Sequence, residues 1–125
     1  MKTLNIEQLD EKDEEIADVL VSLGMTRNVA KALSYLQTMN SATSGDLERG
    51  ANLRQPEVSI AMRQLKENNW IMEREEKKSG KGRPYKVYSL KVSFKDIINQ
   101  VEKQKRKAAQ RTQERITHLK ELRKM

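Results

Sequence analysis

The sequence predicts a mainly α-helical protein with one small β-hairpin and a long C-terminal helix. Apolar residues recur at spacings of three and four in the N-terminal half and again after Ser93, as expected for amphipathic helices. Between these regions, two stretches of β-branched, aromatic and alternating residues flank the glycine-containing segment "SGKGR", which predicts a hairpin. The 125 residues suffice for one small domain with an appended helix.

Two helices are predicted in the N-terminal part of the chain, before residue 40. The first covers about residues 10–23, within an acidic segment 1–24 that we treat as a separate N-terminal element. Thr26 is a candidate N-cap for a second helix, whose apolar residues in the range 29–39 form a stripe that is most simply a core face. We interpret the carboxylates of residues 10–18 as a solvated helix face.

The following segment has the pattern of two helices joined by a tight turn. Thr43 or Ser44 caps a short helix that carries Leu47, and "GAN" supplies the turn that ends it. The next helix covers about residues 55–68. Pro56 lies in its first turn, where the missing amide would have had no helical partner.

This second helix has two different faces. Its apolar face consists of Val58, Ala61, Met62 and Leu65. The side chains that remain available to an external partner are Arg54, Gln55, Ser59, Ile60 and Arg63. Such a helix fits the major groove of DNA, where Gln pairs with adenine, Arg with guanine, Ser with a base or phosphate, and Ile with a thymine methyl group. The alternative is that these are ordinary exposed residues of a three-helix core.

The hairpin tip is cationic. Its candidate contacts to nucleic acid are Lys78, Lys81, Arg83 and Lys86. Beside a helix in the groove, such a loop can lie along the phosphate backbone or enter the minor groove. A solvated hairpin tip accounts for the same charge equally well.

In this order, the two stretches resemble compact archaeal and bacterial winged helix-turn-helix regulators of the TrmB, MarR and ArsR type. The resemblance covers roughly residues 26–90 and rests on "SGDLERGANLRQPEVSIAMRQLKENNWI", with the pattern QPxVSxxxxxL, and on "GKGRPYKVYSL", with the wing pattern GRPxxxYxL. It implies a winged fold, homodimeric binding to double-stranded operator DNA, and transcriptional control. It also implies that Gln55, Ser59 and Arg63 read DNA and that Arg83 acts in the wing.

Two residues depart from the common family pattern. Glu57 stands where a small hydroxyl residue is frequent, and Ile60 where a basic residue is frequent, so the recognition helix is less cationic than usual. Glu57 can accept a hydrogen bond from a cytosine amine or cap the helix dipole. The N-terminal amides of the helix are a further candidate phosphate site.

The segment 92–125, which follows a DNA-binding domain at 25–91, lacks both glycine and proline. A helix of about thirty residues extends ~45 Å, which is too long for so small a domain to bury. We expect a coiled-coil-like homodimer whose seam contains Ile98, Val101, Ala108, Leu119 and Leu122. Lys105 and Arg115 interrupt this seam, and the alternative is a single basic helix that folds over the acidic N-terminal helix.

The net charge of +7 is unevenly distributed. The segment 1–24 has two basic and seven acidic residues, whereas 92–125 has ten basic and four acidic residues, which favours a polyanionic partner for the C-terminal half. No cysteine is present, and His118 is the single histidine. Without a nucleophile, a phosphate-binding loop or a metal-ligand cluster, we expect no enzyme activity, no cofactor and no metal.

The N-terminus lacks the apolar stretch of a signal peptide and no apolar run is long enough to cross a bilayer, so we expect a cytoplasmic protein without a membrane partner. The main functional expectation is a sequence-specific DNA-binding transcriptional regulator. The alternative is a winged-helix module for protein assembly or RNA binding, which would show little salt dependence and no preference among DNA sequences. No separate domain is available for a small-molecule effector, so any sensing would use the dimer interface.

Overall fold

The structure, a computed structural model, describes residues 10–77 and 82–125. Within these residues the chain forms five helices and a three-stranded antiparallel sheet. Their bounds are α1 Glu11–Ser22, α2 Arg27–Met39, β1 Ser41–Thr43, α3 Ser44–Gly50, α4 Gln55–Glu67, β2 Ile71–Glu76, β3 Tyr85–Leu90 and α5 Phe94–Arg123. Two compact units divide the chain between Val92 and Ser93. The predicted class, mainly helical with a small sheet and a long C-terminal helix, is confirmed.

Helix α1 packs against α2 and belongs to the first unit. It begins where the Asp10 carboxylate accepts the backbone amide of Asp13 at 2.8 Å. Asp13 is only 6% exposed, which corrects the interpretation of residues 10–18 as a uniformly solvated face. Its Oδ1 accepts from the Thr38 hydroxyl at 2.7 Å, and its carbonyl accepts from the Ser34 hydroxyl at 2.7 Å. These bonds attach α1 to α2.

Helices α3 and α4 form the predicted helix-turn-helix. Thr43 and Asp46 cap α3 reciprocally, because each side chain accepts the other's backbone amide, at 3.1 and 3.0 Å. The turn that follows contains Asn52 at a φ of 56°, a conformation that asparagine tolerates better than most residues. The core beneath these helices includes Leu33, Leu36, Leu47, Val58 and Leu65.

The hairpin is part of a sheet with the strand order β1-β3-β2. Strands β2 and β3 pair from Ile71 opposite Leu90 to Glu76 opposite Tyr85. The sequence did not predict β1, which is three residues long and pairs with β3 so that Ala42 lies opposite Tyr88. This pairing joins the segment before α3 to β3, which is one of the two strands of the wing.

The second unit is α5, and its 30 residues confirm the predicted length. Ser93 caps it by accepting the amide of Asp96 at 3.1 Å. Ile97 and Val101 are buried, whereas no residue from Glu102 to the C-terminus is. Among the described residues, no helix is long and apolar enough to cross a membrane.

Candidate nucleic-acid interface

Helix α4 presents one buried and one exposed face, as predicted. Val58, Ala61, Met62 and Leu65 are at most 2% exposed, so they fix the helix against the core. The five predicted contact residues, Arg54, Gln55, Ser59, Ile60 and Arg63, are all exposed. A helix of this kind, packed on one side and open on the other, has the shape that the major groove admits.

The exposed residues of α4 form an ordered row. Gln55, Ser59 and Arg63 follow one another at spacings of four, which places them along one side of the helix. Ile60 lies next to this row and is 51% exposed. The guanidinium of Arg63 makes no hydrogen bond or ion pair with any residue that the structure describes, so its five donors are available to a partner.

Glu57 caps the N-terminus of α4. Its Oε1 accepts the backbone amide of Arg54 at 2.8 Å, and its negative charge lies at the positive end of the helix dipole. Of the two roles considered from the sequence, the structure therefore favours capping over a bond to cytosine. The phosphate site expected at this N-terminus already contains a carboxylate.

The described part of the wing holds two of its four predicted contacts. Arg83 is exposed, and so is Lys86, whose ammonium lies 3.6 Å from a carboxylate oxygen of Glu73. Lys78 and Lys81 lie outside the described residues. Binding of DNA by these four residues stays a prediction.

Sequence reasoning missed the role of Glu73. This residue of β2 binds Lys66 from the last turn of α4, with a nitrogen–oxygen distance of 3.1 Å, and also Lys86 from β3. The hydrogen bond from Lys66 lowers the pKa of Glu73, against an opposing effect of desolvation, and the charge of Lys86 lowers it further. Glu73 therefore links the two strands of the wing to the C-terminal end of α4.

The described part of the wing is close to electrically neutral. Strand β2 contains three glutamates, and one of them, Glu76, accepts from Arg74 at 2.7 Å. Glu75 lies opposite Lys86 in the strand register. Arg74 and Lys86 thus lie close to glutamates of β2, whereas the other described cations of the wing, Lys77 and Arg83, are exposed near its tip.

The predicted dimer residues of α5 differ in how accessible they are. Ile98, Leu119 and Leu122 are exposed by 48%, 66% and 51%, whereas Ala108 is half-buried. Val101 is only 8% exposed in the single chain, which leaves it little surface for a mate. Ile116, which the prediction omitted, is 42% exposed.

The described residues contain no cluster of three or more His, Cys, Asp or Glu that could hold a metal ion. His118 is exposed on α5. The described surfaces open to a partner include the exposed face of α4, the wing and the exposed apolar residues of α5.

Together, the helix-turn-helix and the hairpin that follows it define a winged helix-turn-helix fold, extended by a long C-terminal helix. The sequence matches no protein-family model and no curated protein. Among solved structures, the chain is similar to a possible transcriptional regulator from Methanosarcina mazei Go1. The TM-score is 0.64 at 16% sequence identity, and the match covers 84% of this chain and 86% of the other. This likeness shows the fold, and the narrower TrmB, MarR or ArsR type stays a prediction.

Proposed function

We propose that this protein is a transcriptional regulator that binds double-stranded DNA as a homodimer. The observation that carries the proposal is the exposed row of Gln55, Ser59 and Arg63 on a helix whose opposite face is fixed in the core. The solved structure with the same fold is described as a possible transcriptional regulator, which supports this direction.

Helix α4 and the wing have different tasks in this proposal. Arg63 has a planar fork that can bind the two acceptors of guanine, and Gln55 can do the same for adenine, so α4 supplies sequence preference. Arg83 and Lys86 are placed on the wing to contact phosphates, which adds affinity without preference. The wing lies on the backbone or in the minor groove.

The dimer is formed through the exposed apolar stripe of α5, which includes Ile98, Leu119 and Leu122. Two copies related by a twofold axis would present two α4 helices, and an operator with two half-sites would match them. Light scattering of the full chain at micromolar concentration tests this part. A monomeric mass there would exclude the dimer and the paired operator.

The DNA-binding part is tested by selecting preferred sequences from a random duplex library and then comparing three variants. Arg63→Lys keeps the charge but loses the bidentate fork, so it should cost ~1 to 3 kcal/mol on the selected duplex and change affinity for a scrambled duplex by less than about twofold. Arg63→Ala should also weaken scrambled DNA modestly, because a cation is lost. Gln64→Ala is the matched control, since Gln64 is exposed on the same helix but outside the row.

Each outcome of this titration has a definite meaning. Equal losses on both duplexes would reduce Arg63 to a phosphate contact. If the Arg63 variants lost affinity for neither duplex, α4 would not lie in the major groove. Failure of the wild-type protein to enrich any sequence would favour an assembly or RNA-binding module instead.

A further inference from the structure

One apolar side chain lies in the middle of the open face of α4. The buried face of this helix is centred near Val58, and at about 100° per residue the opposite direction falls between Ile60 and Arg63. Ile60 is 51% exposed, and it is the one large apolar side chain that α4 leaves exposed. Ile60 and Arg63 therefore point away from the core more directly than the other members of the row, Gln55 and Ser59.

Neither of these two side chains has a partner within the fold that would account for its position. Arg63 forms no hydrogen bond or ion pair with a described residue. Ile60 has no polar group, so it can bind neither a phosphate nor the polar edge of a base. A single exposed apolar residue is common on soluble proteins and indicates nothing by itself. Its place beside Arg63, at the centre of the face that the proposed function puts in the major groove, is what indicates a use.

The spacing of the two residues matches neighbouring base pairs. Three residues advance a helix by about 4.5 Å, and the Cβ atoms of such a pair are about 5 to 6 Å apart. Successive base pairs of a duplex are about 3.4 Å apart along the axis. Ile60 and Arg63 can thus reach two adjacent base pairs at the same time, but not two distant ones.

The chemistry of the two side chains selects which bases these are. Guanine presents the acceptors N7 and O6 in the major groove, and the planar fork of Arg63 can bind both. Thymine is the base that presents an apolar group there, its C5-methyl. In right-handed B-DNA this methyl group lies beside the major-groove edge of the base on its 3′ side. A thymine directly 5′ of a guanine therefore places an apolar group next to two acceptors, which is the complement of Ile60 next to Arg63.

We propose that Ile60 and Arg63 read a 5′-TG-3′ step as one unit. Arg63 binds the guanine, and Ile60 packs on the methyl group of the thymine that precedes it. The pair also distinguishes 5-methylcytosine from cytosine at the thymine position, because 5-methylcytosine carries its methyl group at the same place. The proposal rests on the binding of DNA by α4 in the proposed function, but not on the homodimer, and it makes Ile60 a specificity-determining residue.

The test removes the methyl group alone. In the duplex selected from the random library, each thymine is replaced in turn by uracil, and binding of the full-length protein is measured at one salt concentration. Burial of one methyl group corresponds to about a fourfold change in affinity, so the wild type should bind one uracil duplex about fourfold more weakly. Ile60→Ala should bind the thymine and uracil duplexes equally, and Ile60→Val should keep most of the difference. Gln64→Ala, at an exposed position of the same helix, is the matched control and should keep all of it.

Two further measurements use the same proteins. 7-Deazaguanine lacks the N7 acceptor, and its effect should disappear in Arg63→Ala only at the guanine directly 3′ of the sensitive thymine. With a cytosine–guanine pair at the thymine position, C5-methylation should raise the affinity of the wild type by about fourfold and that of Ile60→Ala not at all. Each comparison is a ratio between two duplexes for one protein, so a change in the folded fraction of a variant cancels.

Three results would overturn the proposal. Equal affinity of the wild type for thymine and uracil at every position would exclude a methyl contact. A methyl effect that persists in Ile60→Ala would assign it to another residue or to the shape of the duplex. A sensitive thymine that is not directly 5′ of the guanine bound by Arg63 would separate the two contacts. In all three cases the selected duplex and its dependence on Arg63 remain, so the proposed function survives, whereas a wild type that enriches no sequence would overturn both.

Discussion

Substitution of Glu73 by Gln tests whether the wing is attached electrostatically to α4. The Glu73 side chain is 26% exposed, and its partners Lys66 and Lys86 are 48% and 52% exposed. Ion pairs with this much solvent contact contribute ~0.2 to 1 kcal/mol each. Because Gln keeps an oxygen that can accept from Lys66, we expect a loss of about 0.5 to 1 kcal/mol in the free energy of unfolding at neutral pH.

The loss should depend on pH in a defined direction. The pKa of Glu73 is lowered in the folded protein, so its contribution is present above the ordinary carboxyl value of 4.5 and disappears as the pH falls through the lowered folded pKa. The difference between wild type and Glu73→Gln should therefore be largest near neutral pH and vanish in acid. Urea unfolding at several pH values measures it.

Glu75→Gln serves as the control, because Glu75 lies on the same strand and forms no ion pair with a described residue. The variant Glu73→Gln should also release two lysines toward phosphates and steepen the salt dependence of DNA binding by up to about one unit. Equal destabilisation by the two substitutions, or an effect of Glu73→Gln that persists unchanged in acid, would refute the attachment.

Two further predictions concern the framework that holds α4. Asp13→Ala should lower the free energy of unfolding by about 1.5 to 3 kcal/mol, since it removes a buried carboxylate and leaves the Thr38 hydroxyl without this acceptor. Asp13→Asn should cost less because an oxygen remains, and urea unfolding with Glu15→Ala as an exposed control distinguishes the variants. Thr43→Ala should cost ~1 kcal/mol by removing the acceptor for the amide of Asp46, which thermal unfolding detects, and Thr43→Ser should restore most of it.

Local patterns were sufficient to predict the helices from the sequence. Helix α4 begins and ends within one residue of the expected bounds, because Pro56 and the apolar period of Val58, Met62 and Leu65 act within the segment itself. The long α5 was predictable for a similar reason, since an uninterrupted run without glycine or proline has no internal stop signal.

Features that depend on a distant partner were not predictable. Strand β1 has only three residues, too few to show an alternation, and it exists because β3 offers backbone groups to pair with. Asp13 looks like its acidic neighbours in the sequence, and only the position of α2 makes it buried. The bond between Glu73 and Lys66 likewise requires the angle between α4 and β2, which no local pattern specifies.

If α4 and the wing bind DNA as proposed, the charge of the first unit predicts weak binding by a single protomer. The exposed row of α4 contains the cation Arg63 but also, four residues later, the exposed carboxylate of Glu67. The described part of the wing has three glutamates on β2. Because each phosphate contact contributes a limited and salt-dependent share of affinity, two joined protomers should bind far more tightly than one.

Leu119→Asp tests this dependence, since Leu119 is 66% exposed on α5 and belongs to no part of the proposed DNA-binding face. The variant should keep its fold by circular dichroism, become monomeric and lose at least tenfold in affinity for the selected duplex, while its affinity for a single half-site stays equal to that of the wild type. Leu119→Met is the control and should keep both the dimer and the affinity. A monomeric Leu119→Asp protein that bound the full duplex as tightly as the wild type would show that a single α4 and its wing suffice, and dimerisation would then have no part in operator recognition.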